Sequence, residues 1–551
     1  QINKSRITLF LMIAPLCSCT VGGSLSWSDY KNSDHAMDLQ SAKFKNYKLL
    51  SNDRTEVDRL MSEIRYIVEN NGSVNLFNRD YVSLNNRVAK IINSYIISST
   101  KYYANSDEKY GKLSKELYKI YSDIVQFEYS IESDIFHAST ELKKAYFGDL
   151  TDEQIEEKIS GNKDSITISE YDEIFNLYQD EGSELYNRYI NDHDVNSYLD
   201  DGYEYFLRYI NKGNELIENL DSNKYFNYLD FAYDYYYSRD YSYKEAMDFI
   251  KFTKQYLVPL RQNVRALAEP STINRVLIST FNNDNFCNKM LDTSELLDSY
   301  ANELGGKYLA AYNNAFKTGG YFCFSDSYKS MSTAFQWGLV GCNDSVLYFS
   351  RDYQNILSVV HEFGHYYSSH ATFGARESDA YDLLETYSQA NEFTFLNYLL
   401  NQKKNTEDYS SYEFIADNEY FEQIYQIINH ACITEIEIFA YTTPDLTKET
   451  LREGVENIIA SYNDTASSTY FMAPCIASPC YYISYATSLM EAGQFLNMDF
   501  ADAKTNYRKL IEASEEMTMV ERWENSSLVS PFKEETFKKI SEKATEIASK
   551  Y

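Results

Sequence analysis

The chain has 551 residues, several times a typical domain, so its length allows one large helical body or two lobes. Only 7 Pro and 19 Gly interrupt a composition that is 44% apolar, which favours long helices. A net charge of −31 argues against nucleic acid, since no basic stripe exists to replace phosphate counterions, and against electrostatic docking to an anionic bilayer.

At the N-terminus Lys4 and Arg6 precede an apolar run, Ile7 to Leu16, that is too short to span a bilayer. The run ends in Leu16-Cys17-Ser18-Cys19, which resembles the lipobox of a bacterial lipoprotein signal peptide. That resemblance makes residues 1–19 a signal peptide and Cys19 the lipidated residue. The protein would then be extracytoplasmic, held on the bacterial cell membrane by the lipid alone. An ordinary cleaved signal or a buried terminal segment are the alternatives.

Capping boxes at Thr151 with Gln154 and at Ser242 with Glu245 mark helix starts further along. The 53 Tyr follow no fixed period, so there is no repeat array. Gly319 and Gly320, ahead of Tyr321-Phe322, form either a close-approach loop over a substrate or an ordinary turn. Ser345 to Phe349 is the one strand-like run shortly ahead of the paired histidines at 361 and 365. These features predict a mostly α protein with a small sheet.

The most informative segment is His361-Glu362-Phe363-Gly364-His365. On a helix the two imidazoles lie one turn apart on one face and can reach a single zinc ion. Glu362 projects about 100° round from His361, towards a metal-activated water and not the metal. Ile356, Val359, Val360 and Phe363 supply the buried stripe of the same helix. Gly364 costs roughly 1 kcal/mol relative to Ala, so another backbone or a substrate passes close, or the Gly is merely tolerated.

A catalytic zinc takes three protein ligands and keeps a fourth position for water. The segment from Asp379 to Leu400 lacks Gly and Pro and reads as a helix, with Asp379 as N-cap and Asp382 at the third position. Within it Glu385, Ser388 and Glu392 share one face. Glu385 is the expected third ligand. Glu392 is better placed to hold a ligand by hydrogen bond. Six further Cys, at 287, 323, 342, 432, 475 and 480, allow three disulfides or stay as buried thiols.

With that motif and Glu385 in place, the sequence resembles the thimet-oligopeptidase and oligoendopeptidase F family of zinc metallopeptidases. Three stretches carry the likeness: Val346 to Phe349 with the His361–His365 motif, Leu384 to Glu392, and Pro479 to Thr487. The resemblance implies an all-helical, two-lobed body around a deep channel, with the sheet beside the zinc site. Residues 20–235 would form an N-terminal lobe and residues 236–551 the catalytic lobe. One zinc per chain, held by His361, His365 and Glu385, would lower the pKa of its water to about 7. Glu362 would be the general base in hydrolysis of short unfolded peptides. The Tyr-rich segment implies Tyr485 as donor to the oxyanion and Tyr481 and Tyr482 as substrate contacts. The strand at Val346 could take a substrate backbone as an added strand.

One departure stands out. The family has a His in a Pro-His context ahead of the Tyr-rich segment, where this chain reads Pro474-Cys475. His430 or His370 could replace it in space, or a Cys475–Cys480 disulfide could shape the loop. The alternative function is a catalytically impaired peptide-binding lipoprotein that keeps its zinc site.

Overall fold

A computed structural model describes residues 39–51, 53–156, 159, 174, 177–191, 195–219, 225–261, 290–317, 320–353, 356–372, 380–404, 409–464, 466–514 and 517–550. The chain is mostly helical with one small sheet, as its composition predicts. In α1 (Arg54–Glu69) the buried residues Val57, Leu60, Ile64, Ile67 and Val68 fall on one face at helical spacing. The two long helices α2 (Val74–Asn105) and α3 (Glu108–His137) are joined by Ser106 and Asp107 and run back along each other. Ser106 makes the reversal in a left-handed conformation, φ 57°, and Asp107 caps α3 by accepting from Lys109 N. A shorter helix, α4 (Thr140–Phe147), completes this group. Both expected capping boxes form, at Thr151 with Gln154 and at Ser242 with Glu245.

The sheet has strand order β1 (Leu39–Gln40), β2 (Tyr321–Phe324), β4 (Ser345–Phe349), β3 (Ala334–Gly338). β2 and β4 are parallel, and the other two pairs are antiparallel. Side chains alternate across a strand, so the two faces serve two cores. Cys323, Phe335, Trp337, Val346 and Tyr348 join a core made by residues between Phe44 and Ile159. Phe324, Ala334, Leu347 and Phe349 join the other, made by residues from Ile174 to Ile547. β4 is buried along its whole length and paired on both sides. It has no free edge for a substrate strand, so that expectation is corrected.

Five helices of the second core matter for the site: α5 (Ile356–Ala371), α6 (Tyr381–Lys403), α7 (Tyr409–Thr442), α8 (Ser468–Ala477) and α9 (Ile483–Ala492). Asp379 lies outside the described residues, and Ala380 stands at the N-cap of α6 with no side-chain cap. Asp382 does lie in the first turn of this helix, as expected, and is fully buried there.

Cys323, Cys342, Cys432, Cys475 and Cys480 are free thiols, so the Cys475–Cys480 disulfide does not form. Cys475 sits inside α8 with its Sγ 3.4 Å from Phe471 O. Cys287 lies outside the described residues. The extracytoplasmic, lipid-anchored placement is withdrawn. Among the described residues no helix is long and apolar enough to cross a membrane. Lys4 to Cys19, which alone suggested an anchor, lie outside the described residues.

Candidate metal centre

The motif occupies the middle of α5, which is buried on nearly every side: Val359, Val360, His361, Glu362 and Phe363 are each 2% exposed or less. Gly364 is where α6 crosses. A Cβ there would lie 2.6 Å from Ser388 Cα and 3.0 Å from Tyr387 O. The close neighbour is therefore the backbone of α6, and not a substrate. The absent side chain lets α6 approach until its Glu385 reaches the histidines. Asn391 ties the pair together, donating from Nδ2 to Val360 O at 2.7 Å. Its Oδ1 accepts from Tyr300 and Tyr308 at 3.0 and 3.2 Å.

His361, His365 and Glu385 offer ligand atoms within 4.8 Å of one another, the one such group of His, Cys, Asp and Glu among the described residues. Glu385 Oε2 lies 3.7 Å from His361 Nε2 and 3.9 Å from His365 Nε2. Tetrahedral bonds of ~2.0–2.1 Å put neighbouring donors roughly 3.3–3.4 Å apart, so a small contraction fits zinc. Two imidazoles and one carboxylate are also a donor set that zinc accepts. Glu392 Oε1 lies 2.6 Å from His361 Nδ1. This leaves Nε2 for a metal, as expected of an orienting acid. The hydroxyl of Tyr481 donates to Glu385 Oε1 at 2.8 Å, so Oε2 faces the histidines.

Electrostatics separate the two histidines, and a metal would displace a proton from His361 on binding. Burial opposes a charge on His361, but its hydrogen bond to Glu392 and the nearby Glu362 and Glu385 carry the ring up to about 9. Burial, then repulsion from His361, holds His365 well below the ordinary imidazole value, which keeps it neutral. Glu362 is pushed up to about 8 by burial, against the attraction of His361, with Glu385 and Glu392 adding to the rise. The backbone of Gln336 in β3 hydrogen-bonds to it, which sets Glu362 between the motif helix and the sheet.

The Tyr-rich segment packs against this cluster. Tyr481 was expected to touch substrate, but it is 1% exposed and spends its hydroxyl on Glu385. The ring of Tyr485 is 5.1 Å from that of Tyr481 and 5.4 Å from that of His430. Tyr482 is half-buried, 5.5 Å from the His430 ring. Of the two histidines offered in place of Cys475, His430 thus adjoins the segment, and burial keeps it neutral by lowering its pKa to about 3. His370 instead stacks on Tyr366 at the end of α5. Gly319 lies outside the described residues. At Gly320 a Cβ would meet Ala315 O at 2.8 Å, so its small size suits an ordinary tight turn.

Two further contributors leave no mark in the sequence. Asn391 is simply the residue before Glu392, and the contact of Tyr481 with Glu385 spans 96 residues. Only the likeness of the Pro479–Thr487 segment pointed near the second.

The fold is that of helical peptidases. Among solved structures, PZ peptidase A with an inhibitor matches with a TM-score of 0.62 at 13% identity, over 92% of this chain and 99% of that one. A Bacillus anthracis str. Ames chain assigned as oligoendopeptidase F gives 0.58 at 15% identity, over 94% and 99%. Oligoendopeptidase F from Enterococcus faecium gives 0.50 at 12%, over 90% and 97%. No protein-family model matches the sequence, and no curated protein matches it either.

Proposed function

We propose that this chain is a zinc-dependent endopeptidase that hydrolyses short unfolded peptides. The carrying observation is the convergence of His361, His365 and Glu385 beside a buried Glu362. The names of the fold neighbours, oligoendopeptidase F and PZ peptidase A, support a peptide substrate. Residues 20–235 and 236–551 would be the two lobes around a channel for such peptides.

Zinc, when bound, supplies the Lewis acidity that ionises water and polarises the scissile carbonyl. The residues do the rest. His365 is neutral and ready to ligate, and Glu392 fixes the ring of His361. Without a metal Glu362 is pushed up to about 8 and keeps its proton at neutral pH, and a cation bound beside it would favour the carboxylate that the base needs. Glu362 takes the proton of the attacking water and delivers it to the leaving amine nitrogen. Tyr485 and the half-buried Tyr482 would donate to the carbonyl oxygen and the peptide.

The test is cleavage of a quenched fluorescent peptide by wild type and Glu362→Gln, with zinc content measured on both. We expect equal zinc and a rate at least ~100-fold lower in the variant. Equal rates would remove Glu362 as base. A wild type that binds zinc but cleaves no peptide in a library would favour a binding protein without turnover.

A further inference from the structure

A second buried cluster lies directly behind the metal ligands. Arg239 and Asp382 form an ion pair with both side chains fully buried, 3.0 Å from Nε to Oδ1. Arg239 also donates to Cys480 O at 2.9 Å, Tyr481 O at 3.3 Å and Ser484 Oγ at 2.8 Å. Its guanidinium lies against the rings of Tyr233 and Tyr237, at 4.3 and 4.4 Å. Asp382 accepts three more hydrogen bonds, from Tyr241 and Ser484 at 2.6 Å and from Thr487 at 2.5 Å.

The pair links two parts of the metal centre. Asp382 lies three residues ahead of Glu385 on α6, and Arg239 grips the turn that carries Tyr481. That turn is unusual. Cys480 has φ 64°, a left-handed conformation that non-glycine residues rarely adopt. It is held from other elements: Cys480 N donates to Glu437 Oε1 at 2.6 Å, and Tyr237 OH donates to Pro479 O at 2.6 Å. The next residue, Tyr481, then sends its hydroxyl to Glu385 Oε1.

A fully buried ion pair is a poor source of stability, because apolar residues of the same volume hold helices as well. An apolar pair cannot fix a strained turn in register, whereas the planar, forked Arg can hold two carbonyls at once. We propose that Arg239 and Asp382 are positioning residues that set the zinc affinity of the site. They fix the Cys480–Tyr481 turn so that Tyr481 holds one carboxylate oxygen of Glu385 and leaves the other for the ion. The inference rests on the zinc reading above and adds residues from outside the ligand set.

The test is zinc affinity of the full chain, by competition with a chromophoric chelator at fixed pH. The proteins compared are wild type, Arg239→Lys, Tyr481→Phe and the double variant. Each single change should weaken zinc binding about tenfold, and the double variant should bind no worse than the weaker single. Losses that multiply, or wild-type affinity in Arg239→Lys, overturn the inference. Should Arg239→Lys fail to fold, Ser484→Ala removes one arm of the clamp and should weaken binding about threefold. No change there also overturns it. A wild type that takes up no zinc overturns the peptidase reading and this inference together. Zinc-binding wild type with unaffected variants overturns this inference alone.

Discussion

The two faces of the small sheet are packed by opposite rules. On one, Val346 and Tyr348 meet the core of α1 to α4, where Ile64, Ile91, Ile97, Ile131 and Ile135 are buried and charge is sparse. On the other, Leu347 and Phe349 meet a core that also buries His361, Glu362, Glu385, Glu392, Arg239 and Asp382. The first face gains cohesion from apolar area. The second gives up part of that gain to hold charges out of water, where pKa values can be moved far from their ordinary range. The one region supplies cohesion, and the other holds the candidate metal centre.

Cavities in the first core give the largest effect that would break or sharpen this contrast. Ile64→Ala or Ile97→Ala, both at wholly buried positions, should cost ~2–5 kcal/mol and lower the melting temperature. Zinc affinity and peptidase rate should stay at wild-type values. A parallel loss of zinc would show that the two cores are not independent.

Gly364→Ala tests the opposite face. The added methyl would collide with Ser388 Cα and the Tyr387 carbonyl, which belong to backbone and cannot swing away. Overpacking of this kind costs ~1–3 kcal/mol. Here it should also push α6 from α5 and weaken zinc binding, in contrast to the isoleucine variants. Zinc titration and thermal melting on one sample check both halves. Glu392→Gln should be milder for stability, yet weaken zinc about 10–100-fold by loosening His361.

What could be read from the sequence depends on the range of the interactions. His361, Glu362 and His365 are set by helix periodicity alone, and Glu385 and Glu392 by the face they share one helix later. Gly364 was legible as a close approach, but choosing between backbone and substrate needed the position of α6. Asp382 is the first-turn acid that its position implies, but its ion-pair partner, Arg239, is 143 residues away and left no local sign. Tyr481 looked like a substrate contact for a similar reason. The two cores interleave along the chain, since Cys323, Trp337 and Tyr348 return to the first after residues from Ile174 onward have built the second, and no local signal marks that return. The membrane placement drew on a short apolar run, which is a local signal that no packing argument could check.

The smallest effect is the most specific to the charged face. In metal-free protein, folding raises Glu362 from 4.5 to about 8 and His361 from 6.5 to about 9. Between pH 4.5 and 9 the folded state therefore holds protons that the unfolded chain has released. The contribution of these two groups to stability falls as pH rises through that window, since the unfolded state binds fewer protons. Glu362→Gln cannot release a proton there, so it should lack this part of the decline. The readout is the melting temperature of wild type minus that of Glu362→Gln, in chelator, from pH 5 to 8. Titrating groups remote from Glu362 cancel in that difference, which should fall by roughly a few degrees. A difference that stays flat or rises would mean that Glu362 is ionised in the folded protein, with a pKa near its ordinary value. The buried face would then hold its charges by pairing and not by suppressing them, and the contrast between the two cores would lose its electrostatic basis.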